Sequence, residues 1–260
     1  MSAAPRQQRA IVVIPARYAS TRLPGKPLAD IGGSPMIEHV YRRACRARTV
    51  SAVVVATDDA RVRAALAPHV DVRMTPSELP SGTDRVAAVA RELDCQIVVN
   101  VQGDQPLLEP AWIDAIVERL RAEPAAGVVT CAVPVRSREE FEDPAVVKVV
   151  TDPRGRALLF SRAPIPHERD NPSSFRRALH HVGIYGFRRE TLLRLALLPP
   201  SPLEQIERLE QLRALENGIG IGVIVVDGPA PLEVDTPRDL ERARAALREA
   251  GSGPPHAAPR

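Results

Sequence analysis

Three segments of the sequence bring phosphate- and cation-handling residues together on short loops. The first, Pro15-Ala16-Arg17-Tyr18-Ala19-Ser20-Thr21-Arg22-Leu23-Pro24-Gly25-Lys26-Pro27, carries the cations Arg17, Arg22 and Lys26 and no acid. Like charges confined between tight Pro/Gly corners repel one another unless an anion joins them. A triphosphate would supply that anion; a solvated basic loop is the alternative. The loop is not a P-loop, because it lacks Gly at the Ser20 position and Ser or Thr at the Pro27 position, and no GxGxxG follows a strand anywhere. The second segment, Asn100-Val101-Gln102-Gly103-Asp104-Gln105-Pro106, sets a carboxylate after an apolar run and beside a glycine. Facing a triphosphate, Asp104 suits a hard cation such as Mg²⁺, which takes one or two carboxylates and phosphate oxygens; otherwise it is a turn aspartate. In the third, Val234-Asp235-Thr236-Pro237-Arg238-Asp239, Thr236 reads as an N-cap, Pro237 as the first helical residue and Asp239 as its N3 partner. Asp235 is not needed by that helix and is available as a second metal ligand.

Weaker signals accompany these. Ser81-Gly82-Thr83-Asp84 has the pattern of a helix cap and explains itself as one, although Gly82 leaves the backbone open to a flat base. His180 and His181 are neighbours on an expected strand, so they point to opposite faces and at most one enters a given site. Glu204, Glu207 and Glu210 recur every third residue, which places them on one helix face, expected to be solvated.

The elements that must hold these loops alternate. Apolar, β-branched runs at Ala10 to Ile14, Ala52 to Ala56, Val70 to Met74, Ile97 to Val101 and Gly127 to Val133 predict strands. Between them, helical spacing marks Met36 to Cys45, Ala60 to Leu66, Asp84 to Leu93 and Ala111 to Leu120. Strands alternating with helices predict an α/β fold with a doubly wound, mostly parallel sheet, whose ligands sit beyond the carboxyl ends of the strands. The loops after Ile14, Met74, Val101 and Val226 are therefore the places to search. From Pro134 the rhythm changes: Val146 to Val150, a Pro/Gly turn and Ala157 to Phe160 read as a hairpin. The prolines between Pro164 and Ser174 predict an exposed loop. Strand Val182 to Phe187, helices Arg189 to Leu198 and Leu203 to Leu215, strand Ile221 to Val226 and helix Pro237 to Leu247 follow. The expected division is a nucleotide-binding core over residues 1–133 and 220–250, an antiparallel, hairpin-containing insertion over 134–219, and a disordered Gly/Pro/Ala-rich tail over 251–260.

Composition narrows the function. The 260 residues carry a net charge of +3 from dispersed arginines, and only 3% are aromatic, so a nucleic-acid stacking surface is not expected. No apolar run approaches the roughly 20 residues of a membrane helix, and no signal-peptide core follows the N-terminus, so a cytoplasmic protein is expected. Cys45, Cys95 and Cys131 are widely spaced in apolar surroundings and read as reduced core thiols.

In order and spacing, these segments resemble the 3-deoxy-manno-octulosonate cytidylyltransferases, the CMP-KDO synthetases, from Ile11 to Leu247. The resemblance rests on the Pro15 to Pro27 loop, Ser81-Gly82-Thr83, Asn100 to Asp104, Val147-Lys148-Val149-Val150, Phe160-Ser161-Arg162, His181 to Gly186, Pro202-Leu203-Glu204 with Glu207 to Arg213, and Val234 to Pro237. Gln105 stands where the family commonly has Glu, and Ala145 where Asn is frequent. The resemblance implies a homodimeric fold of nucleotidyltransferase (Rossmann-like, GT-A-like) type that uses CTP and Mg²⁺ to activate an acidic eight-carbon sugar for lipopolysaccharide. By it, Arg17, Arg22 and Lys26 grip the triphosphate, and Pro15, Ala16, Ser81 and Gly82 frame the nucleotide. Asp104 and Asp235 hold metal, with Lys26 and Arg17 completing the catalytic group. Gln102, Arg162, His181, Tyr185, Glu210 and Gln211 line the sugar site, Arg162 facing the sugar carboxylate. The alternative is a related acidic sugar, of 8-amino-KDO or sialic-acid type.

Overall fold

The computed structural model describes residues 8–251 apart from Thr21, Ala67, residues 172–173 and residues 229–231. The tail expected from 251 onward lies outside the described residues after Gly251, as do Thr21 of the first loop and part of the proline-containing loop.

In chain order the first half comprises β1 (Ala10–Ala16), β2 (Asp30–Ile31), β3 (Ser34–Pro35), α1 (Met36–Ala44), β4 (Ala52–Thr57), α2 (Ala60–Ala65), β5 (Asp71–Met74), α3 (Gly82–Ala90), β6 (Ile97–Asn100), α4 (Pro110–Ala122) and β7 (Val128–Pro134). The second half adds α5 (Arg138–Glu142), β8 (Lys148–Thr151), β9 (Ala157–Ser161), β10 (Leu179–Arg188), α6 (Arg189–Leu195), α7 (Pro202–Glu207), α8 (Gln211–Glu216), β11 (Ile221–Val225) and α9 (Pro237–Gly251). The sheet runs β11-β7-β10-β6-β1-β4-β5, with β8 paired to β10 and β9 to β8.

β1 is apolar throughout because both of its faces are covered. Ala10, Val12, Ile14 and Ala16 pack into one core with α1 and α4, while Ile11 and Val13 pack into the opposite core with α3. α4 begins with Pro110 at a position whose N–H would be unpaired anyway. It buries Trp112, Ile113, Ile116, Val117 and Leu120 on one stripe, each such side chain contributing about 1.5–3 kcal/mol. That stripe meets β10 at Gly186, where any Cβ would overlap Ile116 and Leu120; an alanine there should cost about 1–3 kcal/mol by overpacking.

Two parallel sets, β5-β4-β1-β6 and β7-β11, are joined by β10, which runs antiparallel to both of its neighbours. The chain winds outward from β1 through β4 and β5, then returns to β6 on the other side of β1. The topological switch point therefore lies between β1 and β6. Because β10 is antiparallel, its first half lies at the same edge: Tyr185 pairs with Asn100 and Leu179 with Pro134. The expected β8–β9 hairpin forms, turning at Gly155 with φ +74°.

Two expectations are corrected. The single helix over Leu203 to Leu215 is two, α7 and α8, separated at Arg208, whose φ of 56° ends the first. Tertiary bonds to Glu204 and Glu207, described below, override the helical periodicity. Cys45 is exposed rather than core, while Cys95 and Cys131 are buried thiols. α1 inserts Met36, Ile37, Val40 and Ala44, and Cys45 falls one residue beyond that stripe.

Candidate active site

At the switch point the loops after β1 and β6 touch. A Cβ on Gly103 would lie 2.6 Å from the Pro15 carbonyl oxygen, so only glycine allows this approach. It brings Asp104 to Lys26, which a left-handed Gly25 (φ 68°) and a 3₁₀ turn at Lys26–Leu28 direct inward. The Lys26 ammonium donates to Asp104 Oδ2 at 2.6 Å and to Asp235 Oδ1 at 2.9 Å. Arg22 reaches Asp235 Oδ2 at 3.0 Å. The two carboxylate loops are tied together by the Val234 N–H, which donates to Asp104 O at 2.9 Å. Behind Asp235 the expected cap is present: the Thr236 N–H and hydroxyl both donate to Asp239 Oδ2, at 3.0 and 2.7 Å.

The basic loop thus draws its acids from elsewhere in the fold. Burial works against the Lys26 charge, but Asp104 and Asp235 outweigh it and raise the pKa. Arg17 stays half-exposed, 4.0 Å from Asp58, whose nearer partner is the buried Arg85 at 2.9 Å. Beside the carboxylates, Glu233 is exposed as a residue, yet its Oε1 accepts from the fully buried Gln105 amide at 3.1 Å. Burial of the carboxylate and the charge of Asp104 push its pKa up to about 7. Among the described residues no cluster of three or more His, Cys, Asp or Glu forms a metal cage. The donor set is two oxygen-bearing side chains already drawn around a cation, Lys26. That fits a hard divalent ion completed by substrate phosphates rather than a closed protein site.

A cavity of about 590 Å³ opens over this cluster, lined by Pro15, Ala16, Arg17, Ser81, Gly82 and Arg85 among others. Ser81 caps α3, its hydroxyl accepting from the Asp84 N–H at 3.1 Å and donating to Asp84 Oδ2 at 2.7 Å. A Cβ on Gly82 would make only ordinary contacts, 3.4 Å from Pro15 and 3.6 Å from Gln102, so the protein's own packing does not demand glycine there.

A second cavity, of about 330 Å³, adjoins the first and shares Arg22, Gln102 and Asp235 with it. Arg162, His181, Tyr185, Glu210 and Gln211 all line it. β10 changes register against β7 between Val182 and Tyr185, and the Thr130 hydroxyl sits inside the irregularity, donating to Ile184 O at 2.7 Å. His181 Nε2 lies 3.1 Å from that hydroxyl, with Phe160 edge-on at 4.9 Å. Burial, reinforced by His180, lowers the His181 pKa to about 3, so the ring is a neutral imidazole. With Nε2–H directed to Thr130, Nδ1 is left as an acceptor. His180 turns the other way, to Glu140 at 2.8 Å, as the alternation of a strand requires. Burial raises the Tyr185 pKa well above normal, aided by Glu210 and Glu233, and keeps the phenol protonated.

The acids expected on a solvated face are instead engaged. Glu204 is buried and bidentate to Arg213 at 2.5 and 2.8 Å. Burial opposes its charge, but the Arg213 and Ser201 hydrogen bonds outweigh this and lower its pKa. Glu207 accepts from the Ser161 hydroxyl at 2.6 Å and the Arg162 N–H at 3.0 Å. Glu210 accepts from the Thr83 hydroxyl at 2.5 Å. Three-residue spacing carried no sign of this, because Glu207 and Glu210 take partners from distant segments and Glu204 takes Arg213 from beyond the break at Arg208. Glu233, which lines the second cavity, carried no sequence signal, and Thr83, which lines it too, reads in the sequence only as part of the helix cap.

A family model described as cytidylyltransferase matches residues 11–221. The 3-deoxy-manno-octulosonate cytidylyltransferase of Syntrophotalea carbinolica is 50% identical over 91% of this chain and 97% of its own length. That of Geobacter sulfurreducens is 48% identical over 91% and 98%. A solved CMP:2-keto-3-deoxy-manno-octonic acid synthetase complexed with CTP superposes with a TM-score of 0.88 at 44% identity, covering 93% of this chain and 99% of that one.

Proposed function

Because the chain belongs to the 3-deoxy-manno-octulosonate cytidylyltransferase family, we propose that it transfers CMP from CTP to 3-deoxy-D-manno-octulosonate, releasing pyrophosphate and giving CMP-KDO for lipopolysaccharide. The observation that carries this reading is the junction of the two cavities at Arg22, Gln102 and Asp235. One is rich in cations and faces a carboxylate pair; the other is sized and lined for a small polyhydroxylated acid.

In this reading the sugar's C2 hydroxyl attacks the α-phosphorus and pyrophosphate leaves. Arg17, Arg22 and Lys26 grip the triphosphate and steady the departing charge, which is positioning and electrostatic work. Ala16 and Pro15 at the end of β1, with Ser81 and Gly82 at the start of α3, frame the nucleotide. Asp104 and Asp235 would hold Mg²⁺, which neutralises phosphate charge and acidifies an attacking hydroxyl when bound. Arg162 faces the sugar carboxylate, while Gln102, His181, Tyr185, Glu210 and Gln211 meet its hydroxyls. The segment 134–219 acts as the sugar-binding and dimerisation unit, and 1–133 with 220–250 as the nucleotide-binding core. Exposed Leu203 and Ile206 on α7 support a homodimer contact there. No helix among the described residues is long and apolar enough to cross a membrane, in keeping with a cytoplasmic place of action.

Pyrophosphate release measured with each of the four nucleoside triphosphates, against a panel of acidic sugars, tests this. Strong preference for CTP with 3-deoxy-D-manno-octulosonate is expected. Equal turnover of UTP, or a preference for an 8-amino or nine-carbon sugar, would contradict it.

A further inference from the structure

Lys148, on β8, has no exposed surface at all, although its neighbour Val147 lines the second cavity. Among the described residues it forms no salt bridge. Its ammonium donates instead to three backbone carbonyls, Asp143 O at 2.9 Å, Val146 O at 2.6 Å and Arg162 O at 2.7 Å. Those bonds use every donor an ammonium has. Burying a cation without a direct ion pair is expensive even with the Asp143 and Glu207 charges nearby, and an apolar side chain of similar length would fill the space at lower cost. The value of the charge lies in what it gathers.

What it gathers is the surroundings of Arg162. The Arg162 guanidinium donates from Nη1 to Pro144 O at 2.9 Å and from Nε to Glu207 O at 2.8 Å. Pro144 lies within the 143–146 loop that Lys148 pins at Asp143 and Val146. The backbone of Arg162 is gripped at both ends, its carbonyl by Lys148 and its N–H by the Glu207 carboxylate, whose other oxygen takes the Ser161 hydroxyl. Of the five guanidinium N–H groups, two are therefore committed to fixed carbonyls and three remain to meet a ligand in the cavity that Arg162 lines. Glu207 can reach β9 because α7 ends directly after it, at the left-handed Arg208.

We propose that Lys148 and Glu207 are positioning residues for Arg162, fixing its guanidinium at the angle that captures the carboxylate of the acidic sugar. This rests on the reading of Arg162 as the carboxylate's partner. Neither residue touches the substrate; each acts through the backbone and the two carbonyls that orient the guanidinium.

The test is steady-state pyrophosphate release with CTP and 3-deoxy-D-manno-octulosonate varied in turn, for Lys148→Met, Glu207→Gln, Arg162→Ala and the double variant Lys148→Met/Arg162→Ala. Lys148→Met should raise the sugar KM about tenfold or more, with the CTP KM within about twofold, because misplacing one substrate's anchor acts on that substrate alone. Glu207→Gln, which preserves side-chain volume, should move the sugar KM in the same direction and decides the matter if Lys148→Met does not fold. The double variant should be little worse than Arg162→Ala, since residues acting through one group are not additive. An unchanged sugar KM, equal rises for both substrates, or full additivity with Arg162→Ala would overturn the inference. If Arg162→Ala itself leaves the sugar KM unchanged, the reading of Arg162 fails, and the positioning role falls with it.

Discussion

The two cavities meet at Asp235 but are built in opposite ways. The cavity proposed for the nucleotide takes its cations from an open loop: Arg17 and Arg22 have side chains 54% and 65% exposed, and Arg22 and Lys26 are balanced by carboxylates from distant loops. The cavity proposed for the sugar takes His181 and Tyr185 from β10 and Gln211 from α8, and its loop residues are held by buried or partly buried bonds, including Thr83 to Glu210, Glu204 to Arg213 and the Lys148–Glu207 frame around Arg162. The contrast suits the ligands proposed for them. A triphosphate is highly charged and rewards mobile cations, whereas a sugar acid must be told from its relatives by fixed hydrogen bonds, where one misplaced partner leaves a buried group unpaired.

The largest expected effect lies where the two regions touch. Asp104→Asn and Asp235→Asn should each lower kcat by at least about a hundredfold, the scale on which a lost electrostatic catalytic group is felt, and the double variant should fall short of the product. Initial rates at saturating CTP check this. Near-normal turnover of a folded Asp235→Asn protein would show the cavities to be independent rather than joined by a shared ion.

Next comes rigidity. Glu204→Gln leaves Arg213 charged and without its counter-ion, so urea unfolding should show a loss of about 3 kcal/mol. A loss under about 1 kcal/mol would mean that the sugar side is no more firmly built than the nucleotide side.

A smaller effect is set by pH. His181 has a folded-state pKa of about 3 against an ordinary 6.5, so below 6.5 the unfolded chain binds a proton that the folded chain refuses. Its contribution is fully present above pH 6.5 and is lost as pH falls toward 3, with a limiting slope of about 1.4 kcal/mol per pH unit. Stability curves of the wild type and His181→Gln should therefore converge as pH falls from 7 to 5. Parallel curves would contradict a desolvated imidazole. Least of all, Arg208→Gly should be neutral or stabilising by up to about 1 kcal/mol, because it relieves a left-handed backbone at a cost in chain entropy.

The same contrast governs what the sequence reveals. β1, β4, β6 and α4 are legible because burial on both faces or on one stripe leaves a periodic trace. The nucleotide loop and Asp104 are legible because their charges cluster within a few residues of a glycine. Glu207 is not: its partners Ser161 and Arg162 lie 46 and 45 positions away, and nothing in a three-residue spacing foretells the break at Arg208. Lys148 did leave a trace, a lone lysine in the run Val147-Lys148-Val149-Val150, but its use depends on three carbonyls that only the fold assembles. The placement of β10 between β6 and β7 also follows from long-range pairing rather than local pattern.

The most direct measurement of the central claim follows the phosphorus. The enzyme is incubated with Mg²⁺, 3-deoxy-D-manno-octulosonate and CTP labelled at either the α- or the γ-phosphate, and the products are separated. Attack at the α-phosphorus predicts that the α-label appears in a sugar nucleotide and the γ-label in pyrophosphate, both only when sugar is present. Transfer of the γ-label to the sugar, or pyrophosphate release that does not depend on the sugar, would contradict the account.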